Sequence, residues 1–420
     1  MKPQLLQRCV LTSTGFIITA LAQYALGQGS LTPPGAPAPM MKTLQQVEPR
    51  TPIATLPFAI VAPGSYYLTT NLISPGGIHG ITVTADHVTI DLRGFAIIGT
   101  GQFVMNWNAI NVPAPQVDLK VLNGAITSWS GEGVSAPTTR NSKLDDLRVS
   151  TIGRSALHIG DGSLVNNCVV QSNCFYQVGT PAIWVGNHCT VETCVAQNNA
   201  GWGISTSSGA LVTGCVANNN SDGINTGDDS RVNNCTASLN NGMAPGGPGG
   251  DGIFIGNGGT VGDCVASGNA HDGIETIVHA MVLACTVWTN GNDGIIVQRG
   301  STVKDCTAGR NRRDGIGVTE NCLAVGNNCV GNGNAGIKAY TDGNRIDSNS
   351  VMTNTVAGID CVVSTADLVI RNSAHANGTD YSLNGAPWPA GTKNATIFTF
   401  PPGPPPPGFL NNDPWGNFSY

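Results

Sequence analysis

Residues 272–316 read DGIETIVHAMVLACTVWTNGNDGIIVQRGSTVKDCTAGRNRRDGI, in which Asp-Gly-Ile begins at 272, 293 and 314. Working outward, a Gly–Ile pair stands at 203–204, 223–224, 252–253, 273–274, 294–295, 315–316, 336–337 and 358–359, at steps of 20, 29, 21, 21, 21, 21 and 22 residues. The long step holds Gly242–Met243–Ala244–Pro245–Gly246–Gly247–Pro248, a loop by composition. Asp precedes the pair at Asp222, Asp251, Asp272, Asp293 and Asp314. Between the pairs Val-x-x-Cys recurs, at Val191/Cys194, Val212/Cys215, Val232/Cys235, Val261/Cys264, Val282/Cys285 and Val303/Cys306. A fixed period near 21 with short β-branched runs and turn residues between them is a solenoid signature.

In Asp293–Gln298, Ile295 and Val297 share one face while Ile296 and Gln298 share the other, because strand side chains alternate. The same inward pair recurs as Ile204/Thr206, Ile253/Ile255, Ile274/Thr276 and Ile316/Val318. Asn, Gly and Asp fill the gaps, as residues that accept left-handed or Asx-turn geometry. A helix is excluded by the missing 3.6 period and by Gly, which costs a helix about 1 kcal/mol per residue. One coil cannot bury its own apolar side chains, but coils stacked in parallel at roughly 4.8 Å build a continuous core. The expected fold is all-β, a solenoid with coils of about 21 residues.

The Gly–Ile units, together with Asp86–His87–Val88–Thr89–Ile90–Asp91–Leu92–Arg93–Gly94, resemble the right-handed parallel β-helix superfamily, the pectin-lyase-like fold. Leu31–Thr32–Pro33–Pro34–Gly35–Ala36–Pro37, Glu48–Pro49–Arg50–Thr51–Pro52 and Pro63–Gly64–Ser65–Tyr66–Tyr67–Leu68 are similar to a family of secreted bacterial β-helix proteins of unassigned activity. The resemblance implies a single-stranded right-handed parallel β-helix over 58–398. It also implies a secreted, periplasmic or cell-envelope location in a bacterium. It implies no particular substrate.

Met1–Gly27 reads as a secretory signal: Lys2 and Arg8 precede a mostly apolar run, and Ala25 and Gly27 supply the small residues before the cut. No other stretch is apolar and long enough to span a membrane. Residues 28–57 read as a Pro-rich linker in which Met41–Val47 forms a short amphipathic helix over the first coil, whose edge would otherwise be open. Phe58–Ile60, Ser65–Thr69, Gly80–Val83, Val88–Leu92 and Ala96–Ile98 read as strands of irregular first coils, Trp107–Pro115 as a loop, and 399–420 as a Pro-rich tail. A solenoid grows along one axis, so one domain acting as a monomer is expected. A net charge of −6, with Arg310, Arg312 and Arg313 as the sole basic cluster, argues against nucleic acid as partner.

The cysteine ladder from Cys194 to Cys306, extended to Cys168, reads as a column of buried thiols, because neighbouring side chains point the same way rather than at each other. It ends where Asn327 and Ser348 take the equivalent place. The off-ladder Cys174, Cys189, Cys322, Cys329 and Cys361 are the better disulfide candidates in a secreted chain.

Three constellations can carry chemistry. The Asp row places carboxylates about 5 Å apart, a repulsion that something must offset. Either each Asp caps its own turn, or Asp251, Asp272, Asp293 and Asp314 hold calcium, an ion suited to clustered oxygens. The outward column after each Gly–Ile reads Trp184, Ser205, Asn225, Phe254, Glu275, Ile296, Gly317, Lys338 and Asp360, with Gln298 and Tyr340 at the next outward positions. Of these, Trp184, Asn225, Phe254, Gln298, Lys338 and Tyr340 suit a polysaccharide or cell-surface glycan, whose ring faces stack on aromatics and whose hydroxyls bond amides and acids. Asp222–Gly223–Ile224 with Gly227–Asp228–Asp229–Ser230 resembles fragments of the polygalacturonase pattern, without that family's His-Gly and Arg-Ile-Lys elements. Lyase-type chemistry needs a base and a cation, and Glu275, Asp272, Arg299 and His271 are the nearest set. The chain thus reads as a protein that binds, with cleavage an open option, an extended polysaccharide. The rival reading is a non-catalytic envelope, adhesion or spacer protein.

Overall fold

The computed structural model describes residues 50–101, 106–175, 179–242, 249–361, 366–383, 393–394, 397–399 and 416–419. All secondary structure among them is strand and turn, and the paired strands run parallel. Each regular coil holds three short strands, as in Ile274–Thr276, Met281–Leu283 and Thr286–Trp288, before Ile295–Val297 opens the next. The first strand of each coil joins one fifteen-stranded sheet running from Phe58–Ile60 to Thr379–Leu383. The other two build the remaining walls.

The Gly–Ile pairs stack in register: Ile204, Ile224, Ile253, Ile274, Ile295, Ile316, Ile337 and Ile359 are successive partners. All eight are fully buried, as alternation requires. The Gly of the pair is there for close approach rather than for a left-handed turn. A Cβ on Gly273 would lie 2.1 Å from Val287 Cγ1 and 2.6 Å from the Gly294 carbonyl oxygen. The left-handed positions fall elsewhere in the coil, on residues such as Asn219, Ala284 and Thr289.

A second, polar column runs inside the turn before the fifteen-stranded sheet. Asn199, Asn220, Asn240, Asn269, Asn290, Asn311, Asn332 and Asn354 are buried, and each side-chain amide bonds the next one's Oδ1. Amides are donor and acceptor at once, so a column of them satisfies itself without water.

The thiol column is present. All twelve described cysteines are free and buried, and the Cys235 and Cys285 N–H groups each donate to the next coil's sulfur at 3.4 Å. The column continues through Asn327 and Asn349, not Ser348, because the repeat lengthens to 22 there: Asn327 Nδ2 lies 3.0 Å from Asn349 Oδ1. The disulfide candidates are corrected likewise, since Cys174, Cys189, Cys322, Cys329 and Cys361 are free thiols. Cys189 and Cys322 hydrogen bond the carbonyls of Gly160 and Gln298, each at 3.2 Å. The Cys235 thiol and burial together hold Cys264 up at about 12. Cys215, Cys235, Cys264 and Cys285 should therefore resist a water-soluble alkylating agent in the native protein and react together on unfolding. Mass spectrometry that finds any of them labelled, or bridged, before the transition contradicts the column.

The solenoid begins and ends beyond the bounds read from the sequence. Thr51–Ile53, inside the stretch read as linker, pairs with Tyr66–Leu68. Ile110–Asn111, inside the stretch read as loop, pairs with Ile81–Thr82 and Val134–Ser135. At the other end Phe418–Ser419 pairs with Ser373–Ala374, and Asn417 extends the column that continues the thiols through Asn349 and Asn372, its Oδ1 3.1 Å from Asn372 Nδ2. The proposed signal, the Met41–Val47 helix, residues 243–248 and Pro401–Pro407 lie outside the described residues. Among the described residues no helix is long and apolar enough to cross a membrane.

Candidate functional site

The outward column falls on one face of the fifteen-stranded sheet. Trp184, Ser205, Asn225, Phe254, Glu275, Ile296, Gly317, Lys338 and Asp360 are successive register partners. Trp184 is 39% exposed; Asn225, Phe254, Glu275, Gln298, Lys338 and Tyr340 are half-buried; Ser205 is buried.

The two halves of this face differ in what their polar groups already hold. In the C-terminal half Lys338 Nζ lies 3.5 Å from Asp360 and over the Tyr340 ring, 5.4 Å from its centroid. The Tyr340 hydroxyl donates to Asp314 Oδ2 at 2.8 Å and accepts from Arg313 at 3.2 Å. Its ring crosses Gly317, where a Cβ would sit 2.8 Å from Tyr340 Cε2. In the N-terminal half the side chains of Ser205, Asn225 and Glu275 have no hydrogen-bond or ion-pair partner among the described residues. The rings of Trp184 and Phe254 stand among them. Lys338 and Tyr340 thus share the predicted face but are occupied internally.

The Asp row does not cap its own turns. The Oδ1 of Asp251 accepts the Asp272 N–H at 2.9 Å, that of Asp272 the Asp293 N–H at 2.8 Å, that of Asp293 the Asp314 N–H at 2.9 Å, and that of Asp314 the Ala335 N–H at 2.9 Å. Each carboxylate thereby stitches its coil to the next, which a reading within one coil could not show. Asp228 does the same in the following turn, taking the Asn257 N–H at 2.8 Å. This gives the polygalacturonase-like fragment a structural job.

Beyond these backbone bonds the carboxylates meet different partners. Arg313 is 3.7 Å from Asp293 Oδ2 and Tyr340 bonds Asp314. At the centre of the row His271 Nδ1 lies 2.7 Å from Asp251 Oδ1 and 3.1 Å from Asp272 Oδ2. These two carboxylates hold the His271 imidazole as a cation, lifting it to about 10. Glu275 is pushed up to about 7, first by burial and then by the charges of Asp251 and Asp272. Ligand atoms of Asp251, His271, Asp272 and Glu275 all lie within 4.8 Å of one another. Burial also raises Asp293, to about 6.

Arg299 is not part of this cluster. It sits in the turn beyond Val297, exposed, with its Nε 3.8 Å from Glu320. The cation beside Glu275 is instead His271, which the sequence places directly before Asp272. A further group was missed in the sequence. His158, the register partner of Trp184, stacks on the indole with ring centroids 4.2 Å apart and 2° between planes. Its Nδ1 lies 3.1 Å from Glu132, which precedes Gly133–Val134 as the Asp row precedes Gly–Ile.

A family profile described as a right-handed beta helix region matches residues 130–282. Among solved structures the chain is similar to the A-module of the mannuronan C-5 epimerase AlgE4 of Azotobacter vinelandii: 14% identity, 76% of this chain and 85% of that chain covered, TM-score 0.34. It is similar to the periplasmic alginate epimerase AlgG at 12% identity, 80% and 78% coverage and TM-score 0.34. It is similar to PfbA, a surface adhesin of Streptococcus pneumoniae, at 11% identity, 77% and 83% coverage and TM-score 0.30. No curated protein matches the sequence. The profile and the parallel three-strand coils identify the fold as a right-handed parallel β-helix.

Proposed function

We propose that this β-helix binds an extended polysaccharide or cell-surface glycan on its outer face between Trp184 and Glu275. One observation carries the reading: along a single register column, a hydroxyl, an amide and a carboxyl that make no hydrogen bond or ion pair among the described residues stand between and beside two aromatic rings. These polar atoms are open to a ligand, whereas in the C-terminal half Lys338, Asp360 and Tyr340 are already engaged and Gln298 alone of the predicted residues there is not, among the described residues. Sugars present C–H faces to rings and hydroxyls to amides and acids. The coil spacing of about 4.8 Å is close to one sugar per coil. Secretion, an envelope location and action as a monomer belong to the same proposal.

Trp184→Ala and Phe254→Ala should each weaken glycan binding by about threefold to tenfold, the worth of one ring contact. Thermal midpoints should stay near the parent's, because partly exposed rings contribute little to the core. A glycan panel titrated against parent and variants measures this. If both variants bind every glycan as the parent does, the face is the outside of a rigid spacer and the non-catalytic reading stands.

Turnover is a second reading, favoured by the Glu275 carboxyl lying near 7 beside the His271 cation. A group that exchanges protons near the working pH is suited to general acid–base catalysis. Glu275 would take or give the proton, and the imidazolium would face developing negative charge or a uronate carboxylate. Asp251 and Asp272 would hold the imidazole in place.

The donor set fits calcium poorly. Calcium takes about six to eight oxygens, whereas each Asp already gives Oδ1 to a backbone N–H and His271 stands between Asp251 and Asp272. The imidazolium serves as the row's own counter-charge. Millimolar calcium, or a chelator, should leave the melting temperature within about a degree of its starting value. A rise of several degrees in calcium would restore a calcium row at Asp251, Asp272, Asp293 and Asp314.

A further inference from the structure

Trp184 and His158 are register partners on successive coils, and their rings are parallel. Coils succeed one another along the solenoid axis at about 4.8 Å. Rings stacked from coil to coil therefore stand with their planes across that axis. The imidazole is held by Glu132 at 3.1 Å, so one face of the indole is backed by a fixed ring. Its other face looks along the axis toward the coil of Ser205, whose side chain is small. From there the column runs through Asn225 and Phe254 to Glu275, four coil steps from Trp184 or roughly 19 Å. Behind the ring pair the same face continues through Ser135, Asn111 and Thr82, so the sheet itself does not end there.

We propose that the Trp184–His158 pair is an end-stop, standing across the face so that the protein recognises the end of a glycan chain rather than its interior. The inference rests on the glycan-binding reading and deepens it. A chain lying along the column from Glu275 toward Trp184 meets the indole as a wall. Its terminal sugar abuts the ring, with its hydroxyls within reach of Ser205 and Asn225, and a following sugar lies against Phe254. At about one sugar per coil, roughly four sugars separate the stop from Glu275. Any turnover at Glu275 would then release a short product of one size.

The test counts proteins per chain. Size-fractionated linear glucan, mannan and polyuronate of known chain number are titrated with the parent, and stoichiometry is read by calorimetry and sedimentation. The expected result is one protein per chain at every length. Trp184→Ala, which removes the wall, should bind more weakly but with a stoichiometry that grows with length. His158→Ala, which leaves the indole unsupported, should fall between the two. A parent that loads several copies per chain in proportion to length overturns the end-stop and leaves the glycan-binding face standing. A parent that binds none of the three polymers overturns both.

Discussion

Asn290→Ala is expected to destabilise the solenoid by at least about 3 kcal/mol. Asn290 is 1% exposed. Its Nδ2 donates to Asn311 Oδ1 at 3.0 Å and to the Ala266 carbonyl at 3.2 Å. Its Oδ1 accepts from the Asn269 side chain at 3.0 Å and the Asn269 backbone N–H at 3.1 Å. Alanine removes all four bonds and leaves their partners buried, each orphan costing about 1–3 kcal/mol. The loss should be local, because a solenoid's stability is approximately a sum over coils and their neighbours. Hydrogen exchange should quicken in the coils around 266–311 and stay slow at Ile81–Val83. Gln197→Ala is the control. Its amide makes a comparable bond to Gln171 Oε1, at 3.1 Å but on the surface, and its loss should cost under about 0.5 kcal/mol. Denaturant midpoints that fall equally for the two variants would show that the buried amide column does not hold the coils together.

Glu275→Gln should abolish turnover, by about a hundredfold to ten-thousandfold, if the face is catalytic, and leave glycan binding nearly intact. The rate of the parent should follow an ionisation near 7. A variant that keeps the parent's rate removes Glu275 from the chemistry. The same substitution has a readout that needs no substrate. The folded carboxyl sits at about 7 against an ordinary value of 4.5. A carboxyl raised on folding binds its proton more tightly in the native state. Its stabilising contribution is therefore full below about 4.5 and is lost as pH climbs through 7. Above 7 the native protein carries a charge that burial and the neighbouring Asp251 and Asp272 disfavour. Glutamine cannot ionise, so the variant should melt higher than the parent at pH 8 and close to it at pH 4. Equal melting at both pH values would mean that Glu275 is not held up. A residue kept at a cost to stability on an open face is what a functional site looks like.

The repeat by itself determined the solenoid, its coil length, the inward Ile and Val, and the face on which the outward column lies. These follow from two local rules: side chains alternate in a strand, and a recurring buried position must recur at the same place in each coil. The thiol column was readable for the same reason. The amide column was readable too, since Asn269, Asn290, Asn311 and Asn332 keep the 21-residue step, but Asn is also the commonest filler of turns. The slip from Asn349 to Ser348 came where the step lengthens by one. Only the tertiary structure decided which groups on that face are spoken for. Lys338 and Tyr340 are closed off by Asp360 and Asp314, Arg299 turns to Glu320, and His271 rather than Arg299 stands beside Glu275. These partners come from other coils, about 20 to 26 residues away in most cases. A side chain's choice among such neighbours depends on rotamer, distance and burial, and none of these is written into the period of a repeat.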